Sequence, residues 1–160
     1  MTTDLKTRPD IFRVERSIQI AAAPESVLAL IEDFRKWTQW SPYEHMDADL
    51  KRTYGGAAKG EGATYAWEGK KTGSGNMRIT RATPSLVQID LNMIKPFQAS
   101  NLAEFTLTPQ GDGTRLTWAM SGTKTLISKL MGLFFNMDRF VGGQFETGLA
   151  DLKAAAEGRA

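Results

Sequence analysis

The feature that most constrains the fold is a change of hydrophobic period at Gly122. Before it, apolar and polar residues alternate in one run after another. After it, apolar residues recur every three or four positions. A period of two buries one face of a strand, whereas a period near 3.6 gives a helix one apolar stripe. The first run sets Phe12, Val14, Ile18 and Ile20, interrupted by Arg16, against Arg13, Glu15, Ser17 and Gln19. Later runs place Tyr65 and Trp67 on one face, then Met77 and Ile79, then Val87, Ile89, Leu91 and Met93, then Ala103, Phe105 and Leu107, then Leu116, Trp118 and Met120. Met46 to Tyr54 reads as a weak strand. Gly69 to Gly75, Thr83-Pro84-Ser85, Lys95-Pro96-Phe97 and Gln110-Gly111-Asp112-Gly113 separate the runs as turns. Sequential strands joined by short turns predict an antiparallel meander with one wet face.

Two short helices are predicted between the first strand and the meander. Pro24 suits a first helical position, and Glu25 the positive end of the helix dipole. Val27, Leu28, Leu30 and Ile31 form the apolar stripe. Asp33 reads as the cap of a second helix carrying Phe34 and Trp37, which ends at Trp40-Ser41-Pro42 because a residue before proline avoids the α region. Beyond Gly122, Leu126, Leu130, Leu133, Phe134, Met137, Phe140, Val141, Phe145, Leu149 and Leu152 mark one helix from Lys124 to Glu157. It would be about 50 Å long if unbroken. A bend or break is expected at Gly132 and at Gly142-Gly143.

This order predicts an α+β fold: a curved six- to seven-stranded antiparallel sheet wrapped around a long C-terminal helix, with two short helices after strand 1. Residues 1–10 are expected as a flexible lead-in and 11–157 as one domain, in keeping with a length of 160 residues. The sheet offers more concave apolar surface than one helix fills, so a cavity between them is predicted.

Composition narrows the chemistry. The chain has no cysteine and one histidine, His45. Thiolate nucleophiles, disulfides and Cys-based or multi-His metal sites are excluded, and neither metal nor cofactor is expected. Lys and Arg number 20 against 18 Asp and Glu. That balance gives no concentrated basic face for nucleic acid. No apolar run approaches the roughly 20 residues of a membrane helix. A cytoplasmic protein, monomeric or homodimeric, is the expectation.

The residues also resemble a known family. The pieces are Ile18-x-Ile20-x-Ala22-x-Pro24-x-x-Val27 with Ile31-x-Asp33, then Trp37-x-x-Trp40-Ser41-Pro42 and Gly60-x-Gly62-Ala63-x-Tyr65-x-Trp67. Gly113-Thr114-x-Leu116-x-Trp118 and Gly142-Gly143-x-Phe145-Glu146-x-Gly148-Leu149-x-x-Leu152-Lys153 complete the set. The chain resembles the SRPBCC (START-like, Bet v 1-like helix-grip) superfamily, in its polyketide cyclase/dehydrase-like branch, from about Phe12 to Glu157. The resemblance implies a helix-grip fold and binding of a hydrophobic small molecule such as a lipid or polyketide. It also implies two alternatives: a cyclase or dehydratase, and an interaction module like relatives that activate a chaperone ATPase.

Candidate ligand contacts are Trp37, Trp40, Tyr65, Trp67, Met77, Ile89, Leu91, Phe105, Trp118 and Met120, with Leu130, Phe134 and Met137 from the helix. Each is in the first place a core residue, but flexible methionines beside tryptophans suit an adaptable apolar pocket. Trp37 and Trp40 read first as capping the small-helix end of the core; at a pocket mouth instead, their indole N–H groups would be available to a polar ligand end. Tyr65 and His45 are the candidates for proton transfer, with Glu44 or Asp47 placed to orient the histidine. An interaction module would show a contiguous apolar patch around Phe97 or the small helices.

Overall fold

The computed structural model describes residues 11–123 and 137–158. Strand β1 (Ile11–Ile20) leads into helix α1 (Pro24–Ile31) and two 3-10 helices, η1 (Phe34–Gln39) and η2 (Pro42–His45). Six strands follow: β2 (Lys51–Gly56), β3 (Ala63–Gly69), β4 (Gly73–Thr83), β5 (Leu86–Lys95), β6 (Ala99–Gln110) and β7 (Gly113–Thr123). Helix α2 (Met137–Ala156) closes the described chain.

All neighbouring strands are antiparallel, in the order β1-β7-β6-β5-β4-β3-β2. The first strand pairs with the last, from Ile11 opposite Thr123 to Ile20 opposite Thr114. Residues 21–50 therefore travel from one sheet edge to the other, and the three short helices lie on that path. Register shifts between Ser74 and Gly75 and between Ile79 and Arg81 interrupt the β4–β5 ladder. Such irregularities bend a strand and add twist, which helps a sheet curve around a core.

The predicted alternation sets the inner face. Val14, Ile20, Tyr65, Ile79, Ile89, Phe105, Leu107, Leu116 and Trp118 are buried, together with Val141, Phe145, Leu149 and Leu152 of α2. Helix α2 packs chiefly along β1. Arg16, the charge on the inward phase of β1, has its partners there. Its Nη2 donates to Asp138 Oδ2 at 2.9 Å and its Nε to Glu146 Oε1 at 3.1 Å. The hydrogen bond with Asp138 holds the guanidinium pKa above its ordinary value, and Arg16 in turn lowers that of Asp138. At the other end of α2, Lys153 Nζ donates to the Gln19 carbonyl at 3.0 Å.

The second short helix forms where expected, as a 3-10 helix, and a further 3-10 turn begins at Pro42. Two local expectations are corrected. The strand expected from Met46 begins only at Lys51. Asp47 accepts from the Lys71 and Thr72 amides at 2.8 and 2.9 Å, which holds that stretch in a turn. Helix α2 runs through Gly142-Gly143 without the expected break. A Cβ on Gly142 would run into the Arg16 guanidinium, so this glycine makes room for the ion pair. The lead-in 1–10, the helix expected over 124–136 and its bend at Gly132 lie outside the described residues.

The two adjacent glycines give a matched test. Nothing lies within 4 Å of a Cβ built on Gly143. Gly143→Ala should stabilise the chain by about 0.5–1 kcal/mol through helix propensity. Gly142→Ala should lose that gain, because its methyl displaces Arg16. Chemical denaturation of both variants checks this, and equal stabilisation would contradict the assignment.

Candidate functional site

The site begins with aromatic residues spaced by three. A 3-10 helix has three residues per turn, so positions i and i+3 eclipse. Phe34, Trp37 and the cap residue Trp40 thus fall along one edge of η1. Their rings touch in sequence, with centroids 5.3 Å and 4.7 Å apart. Asp33 starts the helix by accepting from the Arg35 amide at 3.0 Å, as its capping role predicted. Neither indole N–H is free for a ligand: Trp37 donates to the Ile31 carbonyl and Trp40 to the Leu30 carbonyl, both at 2.8 Å. These bonds satisfy open carbonyls at the end of α1. Trp40 then meets Trp118 edge-on at 5.4 Å, and Trp118 stacks on Phe145 of α2 at 3.9 Å with planes 9° apart.

Beside this aromatic column lies a mainly apolar cavity of about 360 Å³. It is bounded by the inner face of β3–β7, by η1, η2 and the following turn, and by the first turns of α2. Of the predicted contacts, Trp37, Tyr65, Trp67, Met77, Leu91, Trp118 and Met120 line it. Ile89, Phe105 and Trp40 do not. Ile89 and Phe105 are completely buried and Trp40 nearly so, all in the core cluster, where they support the wall. Leu130 and Phe134 lie outside the described residues, as does the side chain of Met137. Trp67 reaches over the backbone of its cross-strand partner Gly75, where a Cβ would run into the indole ring and the Asn92 carbonyl.

One part of the wall is polar. Glu44, on η2, is only 4% exposed and lines the cavity. Its Oε2 accepts from the Tyr65 hydroxyl at 2.8 Å and from Arg52 Nε at 3.1 Å. Arg52 also donates to the Glu44 carbonyl at 2.7 Å. Burial costs the guanidinium some of its proton affinity, but the Glu44 hydrogen bond and charge more than restore it, so its pKa rises. The sequence pointed to Tyr65 but not to its partner. Glu44 sits in a short polar stretch that reads as solvated loop, while Arg52 lies on the inward phase of β2 with Tyr54, which was the available signal.

His45 does not reach the cavity. Its side chain is exposed, and its Nε2 lies 2.7 Å from the Thr38 carbonyl. Asp47 does not orient it either. Both Asp47 oxygens hold the β3–β4 turn, and the hydrogen bonds from Thr72 and Lys71 draw its carboxyl below the usual range. A second link crosses the cavity wall: Tyr43 on η2 donates to Gln144 Oε1 of α2 at 2.7 Å. No cluster of His, Asp or Glu among the described residues could hold a metal ion. No described helix is long and apolar enough to cross a membrane.

The model of the family described as polyketide cyclase/dehydrase and lipid transport matches residues 12–157. The chain belongs to that family. No curated protein matches it. Solved structures share its fold at low identity. The Aha1 dimer from Colwellia psychrerythraea is 16% identical, covering 91% of this chain and 96% of that one, with a TM-score of 0.65. Protein MLL2253 from Mesorhizobium loti is 20% identical over 93% of this chain and 98% of its own, with a TM-score of 0.63. DynU16, from the dynemicin biosynthetic locus, is 15% identical over 94% of this chain and 48% of its own, with a TM-score of 0.62. These likenesses establish the helix-grip architecture within the polyketide cyclase/dehydrase and lipid transport family.

All three tyrosines of the chain are withdrawn from ordinary titration. Burial raises the phenol pKa of Tyr43; burial, then the Glu44 hydrogen bond, raises that of Tyr65; burial, then the Glu44 charge, raises that of Tyr54. The folded chain therefore keeps phenol protons that the unfolded chain releases. The associated stability is present below about pH 10 and falls as pH rises beyond it. Alkaline titration should show tyrosinate absorbance appearing together with loss of the far-ultraviolet dichroism. A full tyrosine transition near pH 10 with the fold intact would contradict these environments.

Proposed function

We propose that the chain binds a hydrophobic small molecule, of lipid or polyketide type, in the cavity between sheet and C-terminal helix, and so sequesters or carries it. The observation that carries this is the cavity itself: about 360 Å³, walled by tryptophan, tyrosine and methionine side chains. Empty apolar space of that size lowers the packing stability of a small domain. A ligand that fills it recovers those contacts and the hydrophobic transfer energy of its own surface. The four methionines Met46, Met77, Met93 and Met120 in the lining give walls that adapt to different shapes. The family description, which joins lipid transport with polyketide chemistry, points the same way.

The alternatives draw less support. Proton transfer by Tyr65 is disfavoured because its proton is already held by Glu44 and burial makes the phenol a weaker acid. His45 stands outside the cavity. An interaction module would need a contiguous apolar patch around Phe97 or the small helices; Phe34, Trp37 and Trp40 are buried in the small helices, and near the half-buried Phe97 the exposed large apolar side chain is Ile94. The large apolar residues exposed among the described ones are Ile94 and Phe140.

Ala103 is buried in the β6 wall of the cavity. Ala103→Leu should occupy ligand space from within. Displacement of an environment-sensitive apolar dye should show binding weakened about tenfold or more, with thermal stability kept. Unchanged binding in a stable variant would place the ligand elsewhere.

A further inference from the structure

Most charged and polar clusters in the molecule are already spoken for. Arg16 holds Asp138 and Glu146, Asp47 has both oxygens engaged, and Lys153 bridges Gln19 to Glu157. On the sheet, Asn92 donates to Asn76 in a groove that Thr53, Thr64, Arg78 and Asp90 also line. Glu44 differs from all of these. Its Oε2 takes two donors, while its Oε1 has no hydrogen bond or ion pair among the described residues. That oxygen is not sealed into the protein. Among the described residues the one enclosed side-chain polar atom without a partner is Asn101 Oδ1, packed against Gly122. Glu44 is itself one of the residues that wall the cavity, so its unengaged oxygen is an acceptor on that wall.

We propose that the ligand carries a neutral hydroxyl, alcohol or phenol, which donates a hydrogen bond to Glu44 Oε1 while its apolar body packs against Trp118, Leu91 and Met120. This rests on the cavity being the binding site. An acceptor facing an apolar space gains most from a donor brought by the ligand. The charge balance selects among donors. Arg52 already pairs with Glu44, so a ligand cation would bring an unbalanced charge into an apolar site. A ligand carboxylate would face the Glu44 carboxylate. Arg52 is committed to Glu44 through both Nε and Nη2, and the lining cation, Lys71, has an exposed side chain in the β3–β4 turn. A hydroxyl adds no charge and supplies the missing donor. Tyr65 is a positioning residue here, since its hydroxyl occupies Oε2 and leaves Oε1 to the ligand.

The test uses the full chain and four probes with one ring system: naphthalene, 2-naphthol, 2-naphthoate and 2-naphthylmethylammonium, followed by tryptophan quenching. The expected order puts 2-naphthol about tenfold tighter than naphthalene, with both charged probes weaker than 2-naphthol. In Glu44→Gln the naphthol advantage should shrink to threefold or less while naphthalene binding stays. The wild-type series decides the matter even if that variant fails to fold. Equal binding of naphthol and naphthalene, or tightest binding of either charged probe, would overturn the hydroxyl assignment and leave the cavity standing. Failure of all four probes would overturn the cavity reading and this proposal with it.

Discussion

The stack of Trp118 on Phe145 is the contact on which the rest of the structure turns. It ties β7 of the sheet to the C-terminal helix, and its near-parallel planes leave no room between the two rings. Gly148 permits the approach, since a Cβ there would lie 3.0 Å from both the Trp118 ring and Pro42. Trp40 and Phe105 close on Trp118 from the other sides, at 5.4 Å and 5.1 Å. Each such ring pair contributes about 0.5–1.5 kcal/mol beyond its buried area. The column fixes the spacing of sheet and helix in the middle of the molecule. Space remains on one side of it, where shorter side chains such as Ala103 and flexible ones such as Met120 face the opening.

Polar groups follow a division set by that column. On the side of α1, both tryptophan N–H groups are used to finish a helix end. On the side of η2, a buried carboxylate stands in the wall with a guanidinium and a phenol as partners. A buried pair of this kind adds little net stability, because desolvation offsets the attraction. Its place beside a cavity fits a part in recognition better than a part in holding the fold. Phe140, 53% exposed, also lines the cavity.

Much of this was legible in the sequence. Alternation located the strands after the Asp47 turn, because a half-buried sheet forces a period of two, and it put Tyr65, Trp67, Met77, Leu91, Trp118 and Met120 on the inner face. It did not separate lining from core. Phe105 and Leu91 share the same phase, and only the path of the short helices decides which one is covered. The Trp37–Trp40 spacing was visible, but its meaning depended on a 3-10 helix rather than an α-helix, a choice that local propensity does not determine. Glu44 was least legible. Its partners lie 8 and 21 residues away, so its burial is a product of tertiary packing alone. Gly142 misled for a related reason. A glycine in a helix suggests weakness, whereas here it makes room for Arg16, a residue 126 positions earlier in the chain.

The central claim is that the space beside the aromatic column is open and apolar in the folded protein. Diffraction from crystals pressurised with xenon tests it directly, since xenon settles in apolar cavities without needing any polar partner. The account predicts xenon density between Trp118, Leu91 and Met120. An interior filled by protein side chains at that position, with no xenon bound, would contradict it.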